Sequence, residues 1–575
     1  MPMDENKYVK KGALFIRDLH DLAQKKLCSP IIREQTIKTP KGSKMLIYIS
    51  LLSILFFSMF LKYSHGGLQG GIDSYVHHGF TNMILESGRI PWIKSVFSYF
   101  GLYPVSTPSG LPALMAAYSS ATSTNIFYLI TPYSLILTLV ASLGMFMASM
   151  QFKRNTHLAI CVSAVFTLTT RYSYYTHQQM LTRGLFISLL PLFLWMMFRF
   201  MDRKNMRIYF MMFLFGTILI SIHRMGMFIL LIVLGLGLGY VIHHYILLVP
   251  HGRSLTIVNT SILLLSIFAL VSMYFYTENV FLEMIWRITP DVISGDESLG
   301  AYLASLAYNY AKFAGVFIIF APLGFLFLLF KGRREIKETA LMFTVIPFLF
   351  LLGGTLYVSI VLLPLLSILM MYALFVLKER ITRKSIKKLS ILFLVFIIVI
   401  TSVIPGYILY RDIDNKYPFW ISETSVEAGL YSTDHSTIGD YIYSRQMNAF
   451  THHPSGVVLD WGYGGIDRFD YDTVEAKSIQ DIFLFPRDPF TIDDWFWLGR
   501  SLDYSQVRRR IYTQHVDHPE VQEWLREHNV RYFVLHRNTL RHIYREEQPR
   551  VNMQNTVPFQ RYAVYRNHDM SLYWL

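Results

Sequence analysis

The chain has 575 residues, of which 53% are hydrophobic and only 16% are charged. Soluble domains carry about 25% charged residues, so this composition excludes an ordinary soluble protein. The net charge of +14 does not indicate nucleic-acid binding, because lysine and arginine concentrate at the cytoplasmic ends of membrane helices. The composition therefore predicts an integral membrane protein without a nucleic-acid partner.

The N-terminal segment, residues 1–43, is basic and lacks the apolar core and small-residue cleavage site of a signal peptide. It is predicted to be a cytoplasmic amphipathic leader that lies on anionic lipid, and a solvated tail is the alternative. Only two cysteines occur, Cys28 and Cys161, so a disulfide framework is excluded.

Apolar runs of about 18 to 25 residues, each able to cross a bilayer, recur between residues 44 and 410. Basic clusters such as Lys153-Arg154 and Arg203-Lys204 place alternate helix ends on the same cytoplasmic side as the leader. An odd number of helices places the residues after Tyr410 outside. Eleven membrane helices are predicted, near residues 44–62, 125–151, 156–171, 183–201, 207–222, 225–248, 254–276, 311–331, 338–353, 355–378 and 389–410.

The predicted outer segments carry structure of their own. Residues 63–108 form a long first outer loop, and the small-residue run 109–123 is predicted to be a re-entrant or surface-lying helix. After the last helix, "SGVVLDWG" is typical of a buried strand, and "HPEVQEWLREHNVRYFVLHR" of a helix leading into a strand. The predicted fold is a polytopic α-helical membrane protein, with a transmembrane domain at 44–410 and an extracytoplasmic α/β domain at 411–575.

The stretch "GGIDSYVHHGFTNMILESGRIPW", residues 70–92, follows the first membrane helix. Asp73 suits the N-cap of an amphipathic helix over 74–87. Alternatively, a carboxylate at the membrane boundary could accept a proton or hold a divalent cation. His77 lies four residues on, and therefore on the same helix face, where it could assist. His78 points elsewhere and is predicted to be a surface residue.

This stretch, together with "YFGLYPVSTPSGLPALMAA", resembles the GT-C superfamily of membrane glycosyltransferases. In that superfamily a glycine-aspartate helix precedes a Gly-x-Ile-Pro turn and a Tyr-Pro…Gly stretch, and the architecture of many helices with a C-terminal outer domain also agrees. The resemblance implies that Asp73 is a catalytic base or a metal ligand. It also implies a sugar donor linked to polyprenyl phosphate or pyrophosphate.

A more distant similarity joins the chain to the catalytic subunit of oligosaccharyltransferases, which carries a Trp-Trp-Asp-Tyr-Gly motif. In "VVLDWGYGG" the similarity aligns Trp461 and Tyr463, predicted to bind the acceptor, but Gly462 replaces the motif aspartate. The second outer loop, "RYSYYTHQQMLTR", has none of that family's acidic metal ligands. Both losses argue against glycosylation of peptide asparagine. His177 could serve with Asp73 as a ligand for Mg²⁺ or Mn²⁺, and a surface histidine is the alternative.

A phosphate-linked donor requires cations at the outer boundary of the membrane. Arginine suits this role because its planar guanidinium pairs with two phosphate oxygens. Arg224 and His223 lie between two apolar runs in "ISIHRMGMF", whereas Arg171 and Arg183 flank the second outer loop. These four residues are predicted to bind the donor phosphate. The alternative for the arginines is snorkelling into lipid headgroups.

The predicted function is transfer of a sugar from a polyprenyl-phosphate-linked donor to a lipid-linked glycan or cell-surface acceptor on the outer face. Three alternatives stay open: protein glycosylation as in oligosaccharyltransferases, transport of a lipid or polymer, and an inactive homologue that acts as a scaffold. Transporters place ionisable groups near the membrane midplane and often contain repeats. Few such groups and no repeat occur here, so a transferase is favoured.

Overall fold

The structure is a computed structural model. In the helical part of the chain it describes residues 41–60, 69–70, 72–88, 90, 108–247, 258–259, 261–266, single positions from 304 to 311, 314–331, 334–349, 351 and 355–380. Beyond residue 380 it describes positions 427, 519 and 523 and four strands. The described residues are mostly helical. The predicted leader up to residue 40 and the predicted helix at 389–410 lie outside them.

Twelve helices of seven or more residues occur among the described residues. In chain order they are α1 (Lys41–Phe60), α2 (Ile72–Ser87), α3 (Gly110–Thr122), α4 (Ile126–Phe152), α5 (Thr156–Thr167), α6 (Thr170–Thr176), α7 (Thr182–Arg203), α8 (Met206–Ile222), α9 (Phe228–Ile242), α10 (Phe320–Leu329), α11 (Ile336–Leu349) and α12 (Thr355–Glu379). A 3₁₀ turn, Arg224–Met227, joins α8 to α9, a π turn, His243–Leu247, follows α9, and a 3₁₀ turn, Val316–Ile319, precedes α10.

Four described helices are long and apolar enough to cross a membrane: Ile126–Phe152, Thr182–Arg203, Met225–Tyr245 and Tyr357–Glu379. Their 21 to 27 residues correspond to about 32 to 40 Å at the helical rise, which exceeds the hydrocarbon thickness of about 30 Å. Shorter apolar helices accompany them, so the protein is an integral membrane protein. The total of eleven crossings remains a prediction.

Helix α12 lies at the centre of the bundle. In its most apolar stretch, 83% of the residues are buried, because α5, α7 and α10 pack around it. By contrast, α8 presents an apolar face outward, including Met206, Phe210 and Phe213. A helix that exposes large apolar side chains in this way is suited to contact lipid.

Two predicted helices differ in length from the helices in the structure. The run 109–123 forms α3, a helix as predicted, whose 13 residues span only about 20 Å. The predicted span at 156–171 ends earlier, at Thr167, and the chain then forms the separate short helix α6. Asn155 and Thr169 cap these two helices by accepting backbone N–H bonds from Leu158 and Tyr172.

The close packing of α9 against α11 depends on glycine. A Cβ atom at Gly235 would lie 2.6 Å from Cα of Thr344, and one at Gly239 would lie 2.5 Å from Cα of Ala340. Both distances are shorter than any real contact, so these positions require glycine. Gly237 lies on the exposed side of α9, where an added Cβ would meet nothing within 4 Å.

This arrangement predicts opposite effects for two chemically identical substitutions. Gly235→Ala forces the two backbones apart and should cost about 1 to 3 kcal/mol, the usual range for overpacking. Gly237→Ala meets open space and should stabilise the helix by up to about 1 kcal/mol. Thermal unfolding midpoints in one detergent measure both. Equal shifts in the two variants would contradict the packing of α9 on α11.

Charged side chains connect the ends of α4, α7 and α11. Lys153 forms ion pairs with Glu335 and Glu338, and Lys331 pairs with Glu338 at 2.8 Å. Lys337 pairs with Asp202 at 3.0 Å. Burial acts to lower the pKa of Lys153, but the charges of Glu338 and Glu335 outweigh it, and the pKa is raised. These residues are termed the Lys153 network below.

The network joins the C-terminal ends of α4 and α7, where the basic clusters Lys153-Arg154 and Arg203-Lys204 were predicted to share one side of the membrane. It lies at the C-terminal end of α7, which has 22 residues and is therefore about 33 Å long. Arg183, in the first turn of α7, thus lies about a membrane thickness from the network. The two ends of the bundle carry different chemistry.

The described C-terminal strands form one mixed sheet in the order β1-β2-β4-β3. Strand β1 (Tyr441–Tyr443) runs parallel to β2 (Val530–His536), and β4 (Met570–Trp574) is antiparallel to both β2 and β3 (Ala563–Arg566). The strand predicted in "NVRYFVLHR" is β2. The strand predicted in "SGVVLDWG" lies outside the described residues, and the α/β domain as a whole remains a prediction.

Candidate functional site

Arg171 is buried at the end of the bundle opposite the Lys153 network. Its side chain is only 2% exposed and contacts two helices. Nε and Nη2 donate to Oγ of Ser359 on α12, at 3.2 and 2.9 Å, and Nη1 donates to the hydroxyl of Tyr175 at 3.3 Å. Arg171 and Tyr175 are four residues apart on α6 and therefore share a face. This burial excludes snorkelling into headgroups for Arg171.

Arg183, half-buried in the first turn of α7, approaches the same aromatic groups. Its guanidinium carbon lies 5.7 Å from the ring centre of Tyr175 and 5.3 Å from that of Tyr357. These distances suit cation–π attraction, which holds the guanidinium in place. Nη2 also donates to the Tyr357 hydroxyl at 3.4 Å. Two arginines are thus ordered by two tyrosines.

His223 completes this group from the end of α8. Its ring centre lies 5.7 Å from that of Tyr357, and its Nδ1 accepts the backbone N–H of Met225 at 2.9 Å. The proton of a neutral ring is therefore on Nε2, which acts as a donor. The turn also requires Gly226, because a Cβ there would lie 2.4 Å from Cα of Ile220. Arg224 begins this 3₁₀ turn, but its side chain lies outside the described residues.

Arg171, Arg183 and His223, arranged around Tyr175 and Tyr357, are termed the basic cluster. Three of the four residues predicted to bind phosphate therefore come together. Guanidinium groups are donors that cannot lose their charge, and they match the oxygens of a phosphate. Such a cluster at the end of membrane helices can bind an anionic headgroup.

The helix that carries Asp73 begins at Ile72, two residues before the predicted start. Asp73 is consequently in the first helical turn rather than at the N-cap, a position that also favours an acidic residue. Its carboxylate lies outside the described residues. His77, predicted to assist Asp73, is buried.

The prediction that His78 is a surface residue is wrong. Its side chain is 2% exposed, because the ring packs against Phe127 at 4.5 Å between centres and its Nδ1 lies 2.7 Å from Oε1 of Gln69. Sequence periodicity could not show this, since both partners lie outside the helix. The surface alternative for His177 is also wrong, since that residue is 3% exposed.

The first and second predicted outer loops touch. Residues 177–181, termed the connector, join α6 to α7 and therefore lie between the helices that carry Arg171 and Arg183. Ser74, next to Asp73, accepts the backbone N–H of Met180 at 2.7 Å, and Gly70 donates its N–H to the carbonyl of Gln178 at 3.1 Å. Asp73 and His177, the predicted metal ligands, thus belong to contacting segments.

The described part of the chain contains no group of three histidine, cysteine, aspartate or glutamate side chains suited to hold a metal. The predicted acceptor residues Trp461 and Tyr463 lie outside that part. Two further residues of this site were not predicted from the sequence: Ser359, which contacts Arg171, and Tyr357, which contacts Arg183. A tyrosine at the start of a long apolar helix, typical of a membrane interface, was the available signal.

Comparison with known proteins finds no matching family model and no matching curated protein. Solved structures do match. The archaeal oligosaccharyltransferase AglB from Archaeoglobus fulgidus, in complex with an inhibitory peptide and a dolichol-phosphate, is 12% identical with a TM-score of 0.52, over 86% of this chain and 70% of that one. An Archaeoglobus fulgidus oligosaccharyltransferase tethered through a disulfide bond to an acceptor peptide with the NVT sequon is 12% identical with a TM-score of 0.51, over 86% of this chain and 69% of that chain.

A third structure of the Archaeoglobus fulgidus oligosaccharyltransferase, in complex with Zn and sulfate, is 13% identical with a TM-score of 0.52, over 85% of this chain and 68% of that chain. Identities this low establish similarity of fold alone. The chain therefore has the fold of these archaeal oligosaccharyltransferases, which are GT-C enzymes, and the resemblance seen in its sequence is a distant one.

Proposed function

We propose that the chain is a membrane glycosyltransferase that transfers a sugar from a polyprenyl-phosphate-linked donor to a lipid-linked glycan or cell-surface acceptor on the outer face. The observation that carries this proposal is the contact between the segment with Asp73 and the connector of the basic cluster. The segment that carries Asp73 contacts the loop between the helices that carry Arg171 and Arg183, and it does so on a fold shared with oligosaccharyltransferases.

In the proposed reaction, the acceptor hydroxyl oxygen attacks the anomeric carbon of the donor sugar. Asp73 takes the hydroxyl proton, and the bond between the anomeric carbon and the phosphate oxygen breaks. The polyprenyl phosphate leaves as an anion, and Arg183 and His223 hold its phosphate by charge and hydrogen bonding before and after the bond breaks. Arg171 orders Tyr175 beside Arg183.

A divalent cation, Mg²⁺ or Mn²⁺, is part of the proposal through Asp73 and His177, which would hold it. When bound, it would neutralise phosphate charge. Asp73 and His177 would supply two ligands, whereas Mg²⁺ prefers six, so water and substrate oxygens would have to supply the others. The proton transfer to Asp73 and the binding of phosphate by arginine are proposed independently of the cation.

Protein glycosylation is the second candidate, because the structural neighbours are oligosaccharyltransferases, one of them solved with a peptide and a dolichol-phosphate. Gly462 stands where the similar motif has aspartate, and the sequence from Arg171 to Arg183 contains no acidic residue. These two differences favour a glycan or lipid acceptor over a peptide.

The test uses purified protein in lipid with polyprenyl-phosphate-linked and polyprenyl-pyrophosphate-linked sugars, and compares a lipid-linked glycan with a sequon peptide as acceptor. The proposal expects transfer to the glycan and none to the peptide. Transfer to the peptide would establish the second candidate instead. Movement of the donor between leaflets without transfer would indicate a transporter, and neither activity would indicate a scaffold.

Arg183 is half-buried, whereas Arg171 and His223 are buried, and we expect replacement of Arg183 to weaken donor binding. Arg183→Gln removes a charged hydrogen-bond donor worth about 1.5 to 3 kcal/mol, so the KM for the donor should rise about 10-fold or more. The value of kcat at saturating donor should change less, because the lost interaction is made already in the ground state. Steady-state kinetics with varied donor concentration measure both constants.

Arg199→Gln is the matched control. Arg199 is on the same helix and also lies against an aromatic ring, 5.1 Å from the centre of Trp195. It is 16 residues away, or about 24 Å along the helix, and its replacement should leave the donor KM unchanged. An unchanged KM in Arg183→Gln would remove that residue from the donor site.

A further inference from the structure

A buried hydrogen-bond network lies directly beneath the first turn of α2. The side-chain amide of Gln69 donates from Nε2 to the carbonyl of Ser74 at 3.0 Å and to Oγ of Ser74 at 2.8 Å. A carbonyl can only accept, so Nε2 is the amide group that faces Ser74 and Oε1 faces the other way. Both side chains are fully buried.

His78 extends the network by one helical turn. Oε1 of Gln69 can only accept, so the 2.7 Å contact requires that Nδ1 of His78 carry the proton. The edge-on contact with Phe127, the second residue of α4, holds the ring in this orientation. Ser74 and His78 are four residues apart and share one face of α2, and that face is held at two points.

The same network reaches the connector between α6 and α7. Oγ of Ser74 accepts the N–H of Met180, and the carbonyl of Gln178 accepts the N–H of Gly70. Gln178 has a left-handed backbone with φ of +41°, a conformation that costs about 1 kcal/mol or more outside glycine. Such a conformation persists only where surrounding contacts hold it. The connector is therefore fixed at its centre by the segment that precedes α2.

We infer that Gln69, Ser74 and His78 are positioning residues that set the rotation of α2 and its register on the connector. Asp73 and His77 occupy the neighbouring face of α2, one residue before Ser74 and His78. A rotation of the helix would move that face relative to Arg171 and Arg183, which flank the connector. The network thus sets the position of Asp73 on α2 relative to the helices that carry Arg171 and Arg183. This role rests on the proposed function.

The mechanical part of the inference can be tested without any enzymatic activity. In Ser74→Ala the N–H of Met180 loses its acceptor, so hydrogen–deuterium exchange of the connector should become faster. Thr81→Val is the matched control, because Thr81 is a buried hydroxyl on the same helix that bonds only to the carbonyl of His77 among the described contacts. Its exchange at the connector should equal that of wild type. Unchanged exchange in Ser74→Ala would overturn the inference.

The catalytic part of the inference predicts that kcat falls and that donor binding stays unchanged. A misplaced carboxylate lowers the rate, and displacements near 1 Å cost up to about 100-fold. Ser74→Ala should therefore reduce kcat about 10- to 100-fold with an unchanged donor KM. In a protein that already carries Asp73→Asn, Ser74→Ala should lower kcat by less than about 2-fold more, because the network acts through Asp73. An equal loss in both backgrounds would overturn the positioning role.

Two substitutions of His78 separate its donor from its ring. His78→Asn keeps an N–H group near the position of Nδ1, whereas His78→Phe keeps the ring against Phe127 and loses the donor. The Asn variant should retain more activity than the Phe variant, and equal activities would overturn the role of the bond to Gln69. Absence of sugar transfer by the wild-type protein would overturn the proposed function. The hydrogen–deuterium exchange measurement needs no activity, so it would still test whether the network holds α2 in register on the connector.

Discussion

Asp73→Asn is expected to remove most sugar transfer, by about 100-fold or more, the usual contribution of a general base. The amide has nearly the shape of the carboxylate but carries no charge and cannot take a proton from the acceptor. Asparagine is also tolerated at the start of a helix, so α2 should still form. The assay is transfer from a polyprenyl-linked sugar by the purified variant in lipid, beside wild type.

Glu86→Gln is the control for charge alone, since Glu86 is on the same helix more than three turns away, and it should transfer sugar normally. Near-normal transfer by a well-folded Asp73→Asn protein would exclude Asp73 as base or ligand and favour the scaffold alternative. Chelation separates the two roles of Asp73. Loss of transfer in EDTA, with recovery on addition of Mg²⁺ or Mn²⁺, would indicate a metal ligand.

The helices were largely predictable from the sequence because apolar runs of membrane length have few alternatives. The prediction of a helix at 183–201 corresponds to α7, and that at 207–222 corresponds to α8. Boundaries near the ends of helices were less accurate. The split at Thr167 depends on the cap formed by Thr169, a local hydrogen bond that hydropathy does not detect.

The basic cluster was predicted as a set of residues, but its geometry was not. Arg171, Arg183 and His223 were each chosen for their predicted position at the outer membrane boundary, where a phosphate-linked donor requires cations. Their meeting point depends on Tyr357 and Ser359, which lie more than 130 residues further along the chain, and no local pattern encodes that proximity. For the same reason His78 was misjudged, because Gln69 and Phe127 bury it from other elements.

The Lys153 network predicts the largest effect on stability, at Glu338. This carboxylate has no exposed surface and pairs with Lys153, itself 2% exposed, at 3.0 Å and with Lys331 at 2.8 Å. It also accepts the backbone N–H of Glu335, at 2.9 Å, in the first turn of α11. Removing one partner from a buried ion pair leaves the other charge uncompensated, which costs about 3 to 5 kcal/mol.

Glu338→Gln isolates that charge, because glutamine three residues into a helix can make the same bond to the backbone N–H. We expect a clearly lower thermal unfolding midpoint in detergent. Glu335→Gln is the matched control: Glu335 pairs with the same lysine but is 40% exposed, so its loss should cost less than about 1 kcal/mol. Equal shifts in the two variants would contradict the burial of this network.

The same network predicts a dependence on alkaline pH. The folded pKa of Lys153 is raised above its unfolded value, so its stabilising contribution is complete below the ordinary lysine pKa of about 10.4. That contribution is lost as the pH rises through the raised pKa. Wild type should therefore lose stability more steeply than Lys153→Met above this value, whereas the two proteins should have parallel profiles near neutral pH. Parallel profiles throughout would show that the charge of Lys153 does not stabilise the fold.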